Sequence, residues 1–192
     1  MNARGVSLVE LTVVLGASLV VGSMAAPLLG RQADDISARG AARHVATVLQ
    51  DARTDAIRRG VSVAIRFQLQ AGQIRFATFA DGNSNGVRTT DIAKGTDPQI
   101  SAWDDIGSQF TGVSISIAPG VTDIDSGAPL TGDPVRIGST ELLSFSARGA
   151  ATAGTVYLRG RTDEQYAVRV AGATGRVRLL HFVKGSRQWV LP

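Results

Sequence analysis

The sequence contains no cysteine, which excludes disulfide bonds, zinc sites built on thiolates and thiol-based catalysis. Aromatic residues make up only 5% of the chain, so the core must consist mainly of Val, Ile, Leu and Ala. Histidine occurs only at His44 and His181, and neither belongs to a Ser/His/Asp arrangement. No glycine loop of the phosphate-binding type is present. We therefore predict that the chain is not an enzyme and needs no cofactor.

Glycine, by contrast, is plentiful, with 22 residues, most of which follow residue 60. Glycine-rich turns between short apolar segments are typical of a protein built from many short strands. The 192 residues suffice for one domain and an extension, but not for two ordinary domains with separate cores. The composition thus predicts one β-rich domain with an added segment.

The added segment is an apolar run from Val6 to Leu29, in which Glu10 is the only charged residue. A helix rises about 1.5 Å per residue, so roughly 20 residues cross the hydrocarbon core of a membrane. A five-residue leader with one positive charge, Arg4, precedes the run. The pattern predicts a transmembrane helix over residues 6–29.

Two interpretations of this run compete. It could be an ordinary secretory signal, with a small-residue cleavage site such as Ser23-Met24-Ala25. It could instead be a membrane helix that the mature protein keeps. Glu10 favours the second interpretation, because a carboxylate inside an apolar helix is unfavourable unless it finds a partner, for example on a neighbouring helix.

The stretch Gly5-Val6-Ser7-Leu8-Val9-Glu10-Leu11 resembles the prepilin signature of type IV pilins and type II secretion pseudopilins. The resemblance implies that a prepilin peptidase cleaves after Gly5 on the cytoplasmic side and that the new N-terminus, Val6, is methylated. Val6 stands where this family usually has Phe. The resemblance also implies that Glu10 contacts the N-terminus of a neighbouring subunit during filament assembly.

The helix is expected to continue beyond the membrane as an amphipathic half over residues 30–60. Its apolar residues recur at helical spacing and line one face: Ala41, Val45, Val48, Leu49, Ala52 and Ala56. Gly60 follows Arg58 and Arg59, which is a typical helix C-terminus. Gly30 and Gly40 predict a bend or a frayed stretch between the two halves.

Residues 61–192 are predicted to form a globular domain of strands. The predicted strands are Val61–Leu69, Gln73–Phe79, Gly112–Ile117, Glu141–Ser146, Thr155–Arg159, Tyr166–Val170 and Arg176–Val183. Three segments are similar to segments of the GspH/FimT pseudopilins: Leu49–Val63, Asp81–Arg88 and Thr174–Leu179. The resemblance implies an α+β, pilin-like fold, in which a long N-terminal transmembrane helix packs on an antiparallel domain of two small sheets.

The segment Asp81-Gly82-Asn83-Ser84-Asn85-Gly86 matches the opening of a calcium loop, which would make Asp81, Asn83 and Asn85 metal ligands. The closing glutamate of such a loop is missing, because Ile92 occupies its position. Asn-Gly between apolar strands is also a common tight-turn signal. We favour the turn over the metal site.

The charge of the chain is uneven. From Arg148 to Pro192 eight basic residues face two acidic ones, which gives this end a net charge of +6. Arg176 and Arg178 alternate along a predicted strand and so share one face, and Arg161 and Arg169 lie in the same basic region. Some FimT-type pilins are implicated in binding DNA through a Gly-Arg-x-Arg stretch, which this chain has at residues 175–178. The four arginines are therefore candidates for binding double-stranded DNA.

Together these features predict a minor subunit of a type II secretion pseudopilus or a type IV pilus, with an assembly role in protein secretion. It would assemble with other pilin or pseudopilin subunits, and would cross the inner membrane once with its C-terminal domain in the periplasm. Two alternatives stay open: a DNA-binding minor pilin that acts in DNA uptake, and a processed, secreted β-domain with no role in a filament.

Overall fold

The computed structural model describes residues 7–138 and 140–192, without the side chains of residues 21–29 and 31. It begins with one helix, α1 (Leu8–Arg59), whose 52 residues run through Gly30 and Gly40 without interruption. The prediction of a frayed stretch between the two halves is therefore wrong. The helix ends where the sequence predicts, since Gly60 adopts a left-handed conformation with φ of 70° and its N–H bonds to the carbonyl of Ala56.

The first sheet is antiparallel and has the strand order β3-β2-β1-β6. Its strands are β1 (Val63–Gln70), β2 (Gln73–Ala80), β3 (Asp104–Asp105) and β6 (Leu142–Phe145). Strands β1 and β2 form the predicted hairpin, with Val63 opposite Ala80 and Gln70 opposite Gln73. The two turn residues, Ala71 and Gly72, both have positive φ, as a two-residue hairpin turn of this hand requires.

The second sheet is also antiparallel, with the order β10-β9-β8-β7-β4. Strand β5 pairs with the same edge of β7 as β4 does: β4 pairs with the end of β7 and β5 with its beginning. Its strands are β4 (Ser114–Ile115), β5 (Val135–Ile137), β7 (Gly154–Arg159), β8 (Gln165–Val170), β9 (Val177–Val183) and β10 (Gln188–Val190). Two short helices, α2 (Thr89–Lys94) and α3 (Ile106–Gln109), lie in the connections. The predicted α+β class with two antiparallel sheets is confirmed.

The main core lies where α1 meets the inner faces of both sheets. The buried helix residues are mostly small: Ala38, Ala41, Ala42, Val45, Leu49, Ala52 and Ala56. They pack against alternate residues of the strands, including Ile65 and Phe76 of the first sheet and Val168 of the second. Alternation along each strand sends the other residues to the outer faces, where two smaller clusters are covered by the loops.

The strands at the sheet edges differ most from the prediction. Gly112–Ile117 contributes only the two residues of β4, and β3, β5 and β10 were not predicted. Each of these strands has two or three residues, too few to show alternation. Over the described residues, no helix is both long and apolar enough to span a membrane.

Candidate functional site

The first described turns of α1 carry large apolar side chains that point into solvent. We call residues 8–20 the exposed segment of α1. Eight of its large apolar residues are more than half exposed: Leu8, Val9, Leu11, Val13, Val14, Leu15, Leu19 and Val20. Contiguous apolar surface of this kind is typical of a site that meets another protein or a membrane.

Glu10 lies in the first turn of α1 and is exposed. It makes no ion pair with the residues that the structure describes. A negative charge is favourable at this end of a helix, where unpaired N–H groups create a partial positive charge. Gly5 and Val6, the predicted cleavage and methylation residues, lie outside the described residues.

Three of the four predicted DNA-binding arginines meet on the outer face of the second sheet. Arg169 of β8 lies directly opposite Arg178 of β9, and Arg176 immediately precedes β9. With Arg187 they line an open groove of about 820 Å³, which we call the basic groove. The prediction that Arg176 and Arg178 share a face agrees with this geometry.

Two acidic residues that the sequence analysis did not consider lie at the basic groove: Asp123 lines it, and Asp125 contacts Arg169. Asp125, on the loop between β4 and β5, forms a bidentate ion pair with Arg169. The two guanidinium nitrogens of Arg169 donate to the two carboxylate oxygens of Asp125 at 2.7 and 3.0 Å. Asp123 of the same loop bonds to Arg136 at 3.2 Å. Among the groove arginines, Arg169 is therefore locally neutralised, whereas Arg176 and Arg178 extend into solvent.

Asp123 also organises its loop. The amide of Ser126 donates to its carboxylate, and this bond, opposed in part by burial, lowers the pKa of Asp123 below its ordinary value. Below the groove, burial is the main cause that raises the pKa of Tyr157 to about 12. Both groups therefore keep a single protonation state at neutral pH, with Asp123 charged and Tyr157 neutral.

Arg161 does not belong to the basic groove. It lies in the turn between β7 and β8, at the end of β8 opposite Arg176, and packs against Gly112. Of the four candidate arginines, the structure therefore brings three together and places Arg161 elsewhere. Residues that are close in sequence can be far apart here, because successive turns of an antiparallel sheet lie at opposite ends of it.

The glycine of the Gly-Arg-x-Arg stretch has a structural role. Gly175 has φ of +60°, and a Cβ at this position would collide with the carbonyl oxygen of Gly149. The Arg53 Nε atom of α1 donates to the same carbonyl at 3.1 Å. Arg53 thus links α1 to the turn that precedes Arg176, and we expect substitutions of Arg53 to alter the groove indirectly.

The candidate calcium loop is closed by its own hydrogen bonds. The carboxylate of Asp81 accepts from the amides of Asn83 and Gly86, and the side chain of Asn83 accepts from the amide of Asn85. Asn85 donates to Asp91. Side-chain oxygens that accept amide protons in this way build a turn, so the geometry supports the turn interpretation.

Sequence reasoning missed one wholly buried polar residue, Gln165. Its carbonyl oxygen accepts from the amide of Ala118 at 2.7 Å, and its amide group donates to the carbonyls of Ser116 and Leu158. Gln165 therefore fixes the start of the loop that carries Asp123 and Asp125 onto the second sheet. An isolated glutamine at a strand start gives no sequence signal of burial.

Comparison with known protein families gives a match over most of the domain. The profile of the type II transport protein GspH matches residues 41–175, which is more than half of the chain. This range contains most of the helix surface that packs on the domain, all of the first sheet, and the second sheet as far as the start of the Gly-Arg-x-Arg stretch. A comparison with curated proteins gives no match.

Two solved structures resemble the fold. The minor pseudopilin EpsH from the type 2 secretion system of Vibrio cholerae is 16% identical, with a TM-score of 0.48; the similarity covers 76% of this chain and 97% of EpsH. The type IV minor pilin FimU of Pseudomonas aeruginosa is 18% identical, with a TM-score of 0.46, over 74% of this chain and 87% of FimU. Because both TM-scores are below 0.5, the family match alone carries the assignment.

Proposed function

We propose that this chain, which belongs to the family of the type II transport protein GspH, has a structural and not a catalytic function. Its role is that of a minor pseudopilin or pilin subunit. The observation that carries the assignment is the family match over residues 41–175. The subunit would take its place in a type II secretion pseudopilus or a type IV pilus by contacts with other pilin-like subunits.

We further propose that residues 6–29 anchor the subunit in the inner membrane before assembly, with the β-domain in the periplasm. The apolar sequence around Glu10 supports this proposal. A prepilin peptidase would cleave between Gly5 and Val6, and Val6 would then be methylated. The mature protein would keep the whole helix.

The mass of the mature protein tests the processing step. The chain, expressed in a host with a prepilin peptidase and extracted from membranes, is expected to begin at Val6 and to carry one extra methyl group. A peptidase-negative host provides the control, in which the leader stays attached. An N-terminus near Ala26 would contradict the proposal and support a secreted β-domain.

Cross-linking tests whether the exposed segment meets other subunits. Because the chain has no cysteine, Leu15→Cys creates a single reactive thiol. We expect it to form cross-links with pilin-like subunits that carry a matching cysteine in the same helical region. Gln70→Cys, at an exposed position of the β1–β2 hairpin, is the matched control. Equal cross-linking at both positions would contradict a specific helix contact.

A second candidate function is binding of double-stranded DNA by the basic groove. The observation that favours it is the convergence of Arg169, Arg176, Arg178 and Arg187 on one groove. Arginine binds phosphate oxygens through paired N–H groups, and such contacts release counterions from DNA. Asp125 opposes this function, because it already occupies Arg169.

A mobility-shift titration of the full chain at low and moderate salt tests this function. Arg176→Ala combined with Arg178→Ala is expected to weaken binding and to flatten the salt dependence by about one in the log–log slope per lost phosphate contact. Asp125→Asn should strengthen binding, because it releases Arg169. Arg58→Ala with Arg59→Ala removes the same charge from the end of α1 and serves as control.

Equal weakening by the two double variants would indicate attraction by overall charge, with no defined site. No shift with the unaltered chain at low salt would exclude DNA binding and leave the assembly role intact.

A further inference from the structure

Three side chains with metal-binding atoms meet where α1 first contacts the second sheet. Asp35 comes from α1, Glu164 from the turn before β8, and His181 from β9. One potential ligand atom from each lies within 4.8 Å of the other two. The three are distant in sequence, and all are half-buried. Within the described parts of the chain, this is the one group of three or more such residues.

Tyr166 holds two of these side chains in place. Its hydroxyl donates to Asp35 Oδ1 at 2.7 Å, which leaves the second carboxylate oxygen of Asp35 for another partner. Its ring stacks on the imidazole of His181, with the ring centres 4.6 Å apart. Contacts from a second layer of residues of this kind orient the ligands of metal sites in proteins.

Two of the potential ligand atoms are already about as far apart as two ligands of one zinc ion. Glu164 Oε2 and His181 Nε2 are 3.3 Å apart. A tetrahedral zinc ion, with bonds of about 2.0–2.2 Å, holds its ligand atoms at about this separation. Asp35 sits on the neighbouring helix, and one of its carboxylate oxygens lies within 4.8 Å of ligand atoms of the other two residues.

We propose that Asp35, Glu164 and His181 form a zinc site that joins α1 to the second sheet. One imidazole and two carboxylates are a donor set that suits Zn²⁺, and three protein ligands leave the fourth position for water. Ca²⁺ and Mg²⁺ prefer a shell made wholly of oxygen atoms, which this site does not offer. A bound ion would stiffen the junction between the helix and the domain.

The positive charge of Arg39 opposes a cation at this site. Arg39 lies one helical turn after Asp35 and acts electrostatically on Tyr166, and its buried Nε atom has no hydrogen-bond partner in the described structure. Replacing Arg39 should therefore tighten metal binding. A polar network without a metal function predicts no such gain, so the sign of this effect separates the two interpretations.

Zinc titration of the full chain tests the site, with protein purified in detergent on a tag that contains no histidine. Competition with a chromophoric chelator should give one bound Zn²⁺ per chain. His181→Gln and Glu164→Gln should each weaken binding by about tenfold or more, and Tyr166→Phe by about 10–100-fold. Arg39→Gln should strengthen it. An excess of Ca²⁺ or Mg²⁺ should not compete.

His44→Gln is the matched control, because His44 is the other histidine of the chain. It pairs with Asp104 at 2.7 Å, but no third ligand joins them within the described residues. This variant should bind Zn²⁺ as the unaltered chain does. The visible spectrum of bound Co²⁺ should show tetrahedral coordination, and His181→Gln should abolish it.

Near-ultraviolet circular dichroism without metal shows whether each variant keeps its fold. A fold retained in Glu164→Gln together with unchanged zinc affinity would overturn the proposal. Absence of stoichiometric zinc binding to the unaltered chain would also overturn it. Neither result would affect the assembly role, which the processing and cross-linking experiments test separately.

Discussion

Two parts of the same helix have opposite surroundings. In the exposed segment, residues 8–20, large side chains such as Leu15 and Leu19 point into solvent. In what we call the packed segment, residues 38–56, small side chains such as Ala41 and Ala52 are buried against the sheets. The backbone geometry is continuous between them. The two segments therefore differ in their side chains and in what these side chains contact, and not in the helix backbone.

The sizes of the side chains reflect these partners. Small residues let the packed segment approach the sheets closely: a Cβ placed on Gly160 would lie 3.1 Å from the Cβ of Ala38. Each large apolar side chain of the exposed segment would gain roughly 1.5–3 kcal/mol if it were buried. Burial of the exposed segment, in a membrane or in a bundle of helices, would therefore be strongly favourable. In the single chain these side chains stay exposed.

The largest expected effect on domain stability comes from Leu49→Ala. Leu49 is wholly buried in the main core, and the cavity left by this change should lower the free energy of unfolding by about 2–5 kcal/mol. Leu15→Ala, the same change in the exposed segment, should leave the value nearly unchanged. Unfolding in urea, followed by fluorescence of Trp103 and Trp189, measures the β-domain, because both tryptophans lie outside α1. A loss with Leu15→Ala equal to that with Leu49→Ala would refute the contrast between the segments.

The sequence predicted the parts of the fold that depend on periodicity. The apolar stripe of α1, the end of the helix at Gly60 and the β1–β2 hairpin rest on repeated local signals, and all three predictions are confirmed. The short edge strands and Gln165 could not be predicted, because their conformation depends on hydrogen bonds to distant residues. The bond from Ala118 to Gln165, for example, spans 47 positions.

The candidate surfaces were predictable to different degrees. Alternation placed Arg176 and Arg178 on one face, because both lie on one predicted strand, although the observed strand begins at Val177. The separation of Arg161 from the other three arginines could not be predicted, since its position depends on which end of the sheet each turn occupies. Asp125 was missed, because a loop residue 44 positions away forms the ion pair with Arg169. Pairings between a loop and a strand leave no periodic signal in the sequence.

A smaller effect is expected from Ala41→Leu. Ala41 is wholly buried at the helix–sheet contact, so the added atoms should force the helix away from the sheets and destabilise the domain by about 1–3 kcal/mol. Ala17→Leu adds the same atoms to the exposed segment and should not destabilise it. Urea unfolding of both variants measures the difference. A stable Ala41→Leu protein would show that the packed segment is looser than its burial indicates.

Tyr166→Phe tests the contact between α1 and the second sheet just before the packed segment begins. This change removes the hydroxyl that donates to Asp35, the residue near which α1 first meets the second sheet. Without metal ions, the loss should lower the free energy of unfolding by about 1 kcal/mol. Exchange of the amide protons of residues 34–38 should become faster, while that of residues 45–56 should stay slow. Uniform acceleration along α1 would contradict a local boundary.

The smallest effect on domain stability is expected from Glu10→Val, since Glu10 lies in the exposed segment and makes no ion pair with the described residues. Urea unfolding should therefore be unchanged, and membrane insertion should be retained or improved, because the one charge in the apolar run is lost. Incorporation into filaments should nevertheless fall, since a positive N-terminus on a neighbouring subunit would lose its counter-charge.

Thr12→Val is the matched control for this variant. Thr12 lies two residues away, and its hydroxyl donates to the carbonyl of Val9 within the helix. This variant removes a polar group from the exposed segment without changing charge, so its incorporation should be normal. Quantitative immunodetection of sheared filaments, relative to the major subunit, compares the variants. If Glu10→Val and Thr12→Val were incorporated equally, the carboxylate would have no docking role, and apolar contacts alone would explain assembly through the exposed segment.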